Sequence, residues 1–388
     1  MLLFAILLLS EKGYCVFQFI DQGLNDRELP FQMRSNNGLY EFLDSSSREL
    51  RCFEHWKQAF RNQFDTYQWR VCTPYFEQGD GGKITVQHFS SRTVLPFLES
   101  ERNDHEIEYL QELGGYGEIS YVKIHESSHD FSKLQHISGP EGPFALKRML
   151  CSGRERQNFE KELKMLETFS GRTHAHMVTL LAAYQLSNDY YLLFPWAKED
   201  LSRWWQRNNH EKRNWAFHKW ISEQCLRLTE ALGLIHFPPA QNSLTPTERR
   251  YGRHGDIKAE NILVFETKEG EEMFVIADFG LAELHRKTSR SNQSPAYLAK
   301  TEECRPPECD LQNANTISAA FDIWTLGVVF LNMITWLIGG EEYIGKFEQA
   351  RYSLEGPFGV QKSTYFTKVL SGPKYGAFMV KESVTKVV

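Results

Sequence analysis

The feature that most limits what this chain can fold into is a pair of short polar motifs set among apolar residues. His254-Gly255-Asp256-Ile257-Lys258-Ala259-Glu260-Asn261 runs into Ile262-Leu263, and Val275-Ile276-Ala277 runs into Asp278-Phe279-Gly280. Asp and Asn at such places often do no more than cap turns. Here two polar turns follow each other in order, each joined to a strand-like apolar run, and it is such context that separates a motif from a chance match.

Further segments frame this pair. Upstream, Leu113-Gly114-Gly115-Tyr116-Gly117-Glu118-Ile119 is a glycine cluster that in isolation reads as a hairpin turn. Phe144-Ala145-Leu146-Lys147 is strand-like, and a helical pattern from Arg156 to Phe169 carries Glu160 and Glu162. Downstream come Arg305-Pro306-Pro307-Glu308 and Phe321-Asp322-Ile323-Trp324-Thr325-Leu326-Gly327.

In this order the segments resemble those of eukaryotic-type protein kinases, and the chain from about Asn103 onward is identified as a member of that family. The resemblance implies transfer of the γ-phosphate of ATP, with Mg²⁺, to Ser or Thr of a protein substrate. Asp256 would be the catalytic base, Lys258 would meet the transferring phosphate, and Asn261 and Asp278 would hold magnesium. Lys147 would reach the α- and β-phosphates and pair with Glu162, or with Glu160 as second choice. Gly114 and Gly117 would cover the phosphates, and Ile119, Ala145 and Leu263 would face adenine. Leu193-Phe194-Pro195-Trp196 would be the hinge that offers backbone hydrogen bonds to the base. A lysine two residues after the base favours Ser/Thr over Tyr as acceptor. Asp322 would bond to the backbone of the catalytic loop. Phe194-Pro195-Trp196-Ala197 with Asp200-Leu201, and Arg305-Pro306-Pro307-Glu308-Cys309-Asp310, look like a group of kinases common in filamentous fungi.

Four departures bear on activity. Glu112 stands where the family has the first loop glycine, and Gly255 where it has the catalytic-loop arginine. Without that arginine, activation by phosphate on the segment carrying Thr288, Ser289, Ser291, Ser294, Tyr297 and Thr301 is not expected. Pro238 to Arg253 reads as a solvated insertion, and no arginine after Arg351 offers a late partner for Glu308, so a shortened C-terminal lobe is expected. The alternative reading is a pseudokinase that serves as a nucleotide-binding or interaction scaffold.

The 388 residues exceed one ordinary domain of about 100–200 residues. A 41% hydrophobic and 24% charged composition is that of a folded protein. Residues 1–102 read as a mainly helical unit of unknown role, with Phe53, Trp56, Phe60, Phe64 and Tyr67 spaced as one helical face that belongs to a core. After it, an α+β two-lobe plan is expected over 103–388: a sheet-rich lobe to about 194, a hinge over about 194–198 and a helical lobe from 199. Strands are expected at about 83–87, 121–124, 144–147, 178–181 and 190–194, and helices over 156–169, 215–236 and 320–338.

A net charge of −6 gives no electrostatic reason for nucleic acid binding. The seven cysteines show no zinc-ligand spacing, and an intracellular setting, in cytoplasm or nucleus, is expected. The apolar start Leu2–Leu9 has no preceding Lys or Arg and no small-residue cleavage site after it, unlike a signal peptide. It also falls short of the ~20 residues that span a bilayer, so no membrane partner is expected. Oligomeric state is open.

Overall fold

The computed structural model describes residues 1–36, 39–44, 46–77, 84–98, 118–131, 142–149, 154–169, 173–209, 213–238, 250–286, 304–310, 318–355, 360–369 and 377–386. The first of its three parts holds α1 (Leu2–Leu9), α2 (Val16–Asp21), an antiparallel hairpin of β1 (Gln32–Asn36) and β2 (Leu39–Leu43), and α3 (Gln58–Val71). α1 buries Leu3, Ile6 and Leu7, whose helical spacing puts them on one face. Phe53 lies at the centre of an aromatic core, with the rings of Phe42, Phe64 and Trp56 at 4.2, 4.9 and 5.0 Å.

The aromatic series is therefore core, but it is not one helical face. Phe53 and Trp56 precede α3, because Lys57 is extended (φ −62°, ψ 147°) and the helix starts only after it. α3 is tied to the chain before the hairpin by Gln68, whose amide donates to the Phe31 carbonyl (3.0 Å) and accepts from the Phe31 N–H (2.8 Å). Both atoms of this buried carboxamide are thus satisfied.

The second part is a six-stranded sheet in the order β3-β7-β8-β6-β5-β4. Its strands are β3 (Gln87–Phe89), β4 (Phe97–Leu98), β5 (Glu118–Ile124), β6 (Phe144–Met149), β7 (Ala182–Leu186) and β8 (Asp189–Pro195), and α4 (Arg154–Thr168) follows β6. The sheet does not begin after residue 102. β3 pairs in parallel with β7 and β4 antiparallel with β5, which gives partners to backbone groups on two strands that would otherwise be edges. Phe76, also ahead of that boundary, is buried in one cluster with Ile124, Phe131, Phe144 and Tyr184. The strand expected at 178–181 forms instead at 182–186, where Leu186 pairs with Asp189 across a tight turn with Ser187 at φ 57°, so the hairpin fixes the register.

The third part is mainly helical: β9 (Glu199–Asp200), α5 (Leu201–Arg207), α6 (Trp215–His236), β10 (Arg250–Arg253), β11 (Ile262–Glu266), β12 (Glu272–Ile276), β13 (Glu283–Arg286) and α7 (Ala320–Arg351). Asp200 and Asn214 cap α5 and α6, accepting from the backbone N–H of Arg203 (3.0 Å) and Phe217 (2.9 Å). The rings of Trp204 and Trp336 meet at 5.2 Å between α5 and α7.

α7 continues beyond Ile338, with a break at Gly340 (φ 71°, ψ −162°). A Cβ there would lie 2.3 Å from Asn209 Oδ1, which itself accepts from the Glu341 N–H, so glycine is required. By length and composition α7 could also cross a membrane; in this fold half of its most apolar stretch is buried, and Leu326, Val329, Met333 and Trp336 belong to the central core. The sheet-rich part, the helical part and the helical N-terminal part agree with the α+β plan.

Candidate active site

Lys147 is drawn into the interior by its place on β6, where Phe144, Leu146, Lys147 and Met149 are all buried. A buried ammonium needs a counterion. α4 supplies Glu162, whose Oε1 lies 2.7 Å from Lys147 Nζ, and Asp278 Oδ1 lies 3.4 Å away. Glu160 takes no part, since it pairs with Arg156 on the exposed side of the helix. Burial works against the charged lysine, but the Asp278 and Glu162 carboxylates outweigh it and hold the ammonium above its usual range. The Lys147 charge in turn keeps the Asp278 carboxyl below the ordinary value, against burial.

Asp278 sits at φ 62°, a conformation that costs a non-glycine residue about 1–3 kcal/mol and that surrounding structure must hold in place. The fully buried Phe279 provides that hold. Its ring lies 6.0 Å from Phe169, just beyond α4, and 5.0 Å from His254. The Asp278 side chain also accepts from the Gly280 N–H at 3.3 Å.

The loop bearing Asp256 is organised from below by α7. Asp322, with no solvent exposure, accepts from the backbone N–H groups of His254 (2.7 Å) and Gly255 (2.8 Å) and faces His236 Nε2 at 3.0 Å. Gly255 sits at φ 87°. Asn261 Nδ2 donates to the Asp256 carbonyl and to its Oδ2, both at 2.8 Å, while Lys258 Nζ lies 3.0 Å from the same carboxylate. The Asn261 carbonyl accepts from the Ala277 N–H (2.9 Å), which ties this loop to the residue before Asp278.

Lys147, Glu162, Asn261 and Asp278 meet at a cavity of about 170 Å³ between the sheet and the helical part. Ile119, Ala145 and Leu263 line it, with Phe194 to Ala197 from the connecting segment and Lys147, Asn261 and Asp278 as polar contributors. An apolar slot with a few convergent charged groups suits a flat ring carrying an anionic chain. Gly114 and Gly117, together with Glu112, the residues from Thr288 to Thr301 and most of the Pro238–Arg253 insertion, lie outside the described residues; the end of that insertion is not a solvated loop but strand β10, with Arg253 wholly buried. A wider groove of about 1180 Å³ borders the second half of α7 and holds none of this chemistry.

Asn261 and Asp278 could hold a magnesium ion, since both line the same cavity and each carries a side-chain oxygen, and Mg²⁺ takes few protein ligands and keeps waters and phosphates for the rest. Among the described residues no cluster of three or more His, Cys, Asp or Glu offers a protein cage for a metal. Three contributors escaped the sequence reading: His236 against Asp322, Phe169 under Phe279, and Glu283, which lies 3.0 Å from Arg253 and 2.9 Å from Lys161. Each acts through a partner distant in sequence, for which periodicity holds no signal.

The protein kinase domain profile matches residues 138–338. A LysM domain receptor-like kinase 10 of rice (Oryza sativa subsp. japonica) is 28% identical over 233 residues, covering 56% of this chain and 34% of the rice protein. The serine/threonine-protein kinase Kist of mouse is 26% identical over 215 residues, 50% of this chain and 45% of Kist. A segment of 86 residues is 31% identical to the rat mitogen-activated protein kinase kinase kinase 11, covering 21% of this chain and 9% of that protein. The chain thus matches less than half the length of each of these relatives.

Proposed function

The chain belongs to the protein kinase domain family, and from that premise we propose that it transfers the γ-phosphate of ATP to Ser or Thr hydroxyls of protein substrates. One observation carries this reading: Lys147 and Glu162 from the sheet side and Asn261 and Asp278 from the helical side line a single cleft, and Asn261 also binds the Asp256 carboxylate that Lys258 pairs with. Phosphoryl transfer depends mostly on such positioning and charge placement.

In this reading Asp256 orients the substrate hydroxyl and takes its proton as the new oxygen–phosphorus bond forms and the bond to the ADP oxygen breaks. Asn261 fixes the Asp256 carboxylate by its 2.8 Å hydrogen bond, and Lys258 offsets charge on the group in transfer. Lys147, kept charged by Glu162 and Asp278, holds the α- and β-phosphates. Asn261 and Asp278 would hold magnesium, which when bound neutralises charge on the phosphate oxygens. Ser/Thr preference rests on Lys258 and on the similarity to the serine/threonine-protein kinase Kist.

The test is transfer of labelled phosphate from ATP to the chain itself and to a generic basic protein, for wild type, Asp256→Ala and Lys147→Met. Loss in both variants, with the fold retained, supports the enzyme. A folded wild type that transfers nothing refutes it. A Mg·ATP-dependent rise in melting temperature would then favour the scaffold reading, because a ligand bound only by the folded state must stabilise it.

A further inference from the structure

Helix α4 must stay docked for Glu162 to reach Lys147, and besides the groups of the cleft a second set of charged residues outside it ties the helix to the strand before the catalytic loop. Lys161, next to Glu162 on α4, places its Nζ 2.9 Å from Glu283 Oε1. The other oxygen of the same carboxylate, Oε2, receives Arg253 Nη2 at 3.0 Å. The Arg253 side chain has no solvent exposure, and its residue directly precedes His254-Gly255-Asp256. Register fixes the lower half of this bridge, since β10 pairs with β13 and Arg253 stands opposite Glu283. Gly252 lets β10 run close to α6: a Cβ there would lie 2.0 Å from the Ile235 carbonyl oxygen.

We infer that Glu283 is a positioning residue whose carboxylate joins α4 to the catalytic loop, so that the Lys147–Glu162 pair is assembled without a phosphate on the activation segment. This rests on the phosphotransfer reading above for its catalytic consequence, though not for its structural one. A carboxylate with one oxygen on each partner does what a bound phosphate would do between two cations: it offers several acceptor atoms and negative charge to both. The chain has Gly255 where the family's phosphate-clamping arginine would be, and a buried arginine two residues earlier that is already engaged by a carboxylate of the chain. The Arg253–Glu283 half of the bridge is shielded, with Arg253 wholly buried and the Glu283 side chain 20% exposed, so salt screens it less than a surface pair, whereas Lys161 at the α4 end is 34% exposed.

The experiment compares the full chain as wild type, Glu283→Gln, Glu283→Asp and Glu160→Gln, the last altering the exposed face of the same helix. Hydrogen exchange of the 154–168 amides is read in each, together with kcat and the ATP KM before and after phosphatase treatment. The inference expects faster exchange of α4 in Glu283→Gln and a kcat lowered roughly ten- to a hundredfold, the scale of a small misplacement of catalytic groups. It also expects an ATP KM changed far less than kcat, partial recovery in Glu283→Asp, wild-type behaviour in Glu160→Gln, and wild-type activity that survives phosphatase. Unchanged exchange of α4 in a folded Glu283→Gln overturns it. So does a phosphatase-treated wild type that loses activity. If wild type transfers no phosphate at all, the phosphotransfer reading fails by itself, and the exchange measurement still decides whether Glu283 holds the helix.

Discussion

Replacing Asp322 by alanine tests how much of the catalytic loop's shape is owed to one carboxylate on α7. The side chain is wholly buried and satisfies two backbone N–H groups, of His254 and Gly255, and faces His236 Nε2. Alanine leaves both amides buried without an acceptor, and each such donor costs about 1–3 kcal/mol. With the imidazole contact also lost, a destabilisation of about 4 kcal/mol is expected, a large share of the roughly 5–15 kcal/mol that holds an ordinary domain folded. For a domain of about 150–250 residues each kcal/mol moves the melting temperature by about 2–4 °C, which places the variant about 8–16 °C below wild type. Asp322→Asn keeps one acceptor oxygen at nearly the same volume, and should show about half that loss. Thermal unfolding followed by the fluorescence of Trp204, Trp205 and Trp336, which pack in the same core, is the readout. A variant Asp322→Ala that melts within a degree or two of wild type would refute the reasoning, for it would mean that water or a moved backbone serves those amides at no cost.

Glu272 accepts from Lys198 (2.8 Å), Trp204 (2.6 Å) and Arg207 (2.6 Å), and these bonds outweigh burial to keep its carboxyl below the ordinary 4.5. A depressed carboxyl stabilises above its unfolded pKa and loses that contribution as pH falls through the folded one. Glu272→Gln should therefore cost about 1–2 kcal/mol at pH 7, with the deficit fading below about pH 4; an equal deficit at pH 3 in thermal melts would contradict this. Gly255 at φ 87° predicts that Gly255→Ala costs about 1–2 kcal/mol in urea unfolding even before any change in catalysis, and a neutral result would show that the loop can relax. Phe64, fully buried among Phe19, Phe31, Phe42, Phe53 and Trp56, predicts a loss of about 3–5 kcal/mol for Phe64→Ala, read from the unfolding of the N-terminal part; a loss under about 1 kcal/mol would mean the aromatic core collapses onto the gap.

What the sequence determined by itself was the identity and order of the parts. The spacing of apolar residues marks α6 and the first half of α7, because a helix that faces a core must repeat its apolar side every three to four residues. Lys147, Asp256, Lys258, Asn261 and Asp278 stand out because each occupies a fixed place in a short local motif. Tertiary structure decided everything that depends on which face meets which. Glu160 and Glu162 are both charged residues on one helix, and only the docking of α4 against β6 turns Glu162 to Lys147 and leaves Glu160 outside. The sheet took in β3 and β4 from ahead of the expected boundary because strands β7 and β5 offered unpaired backbone, a demand that exists only once the sheet is folded. The bridge through Glu283 joins residues from three separate elements, and Lys147 meets Asp278 across 131 residues of chain. Periodicity reports the chemistry of a face, but the partner of that face is chosen by packing, where burial makes an unmatched charge or amide too costly to keep.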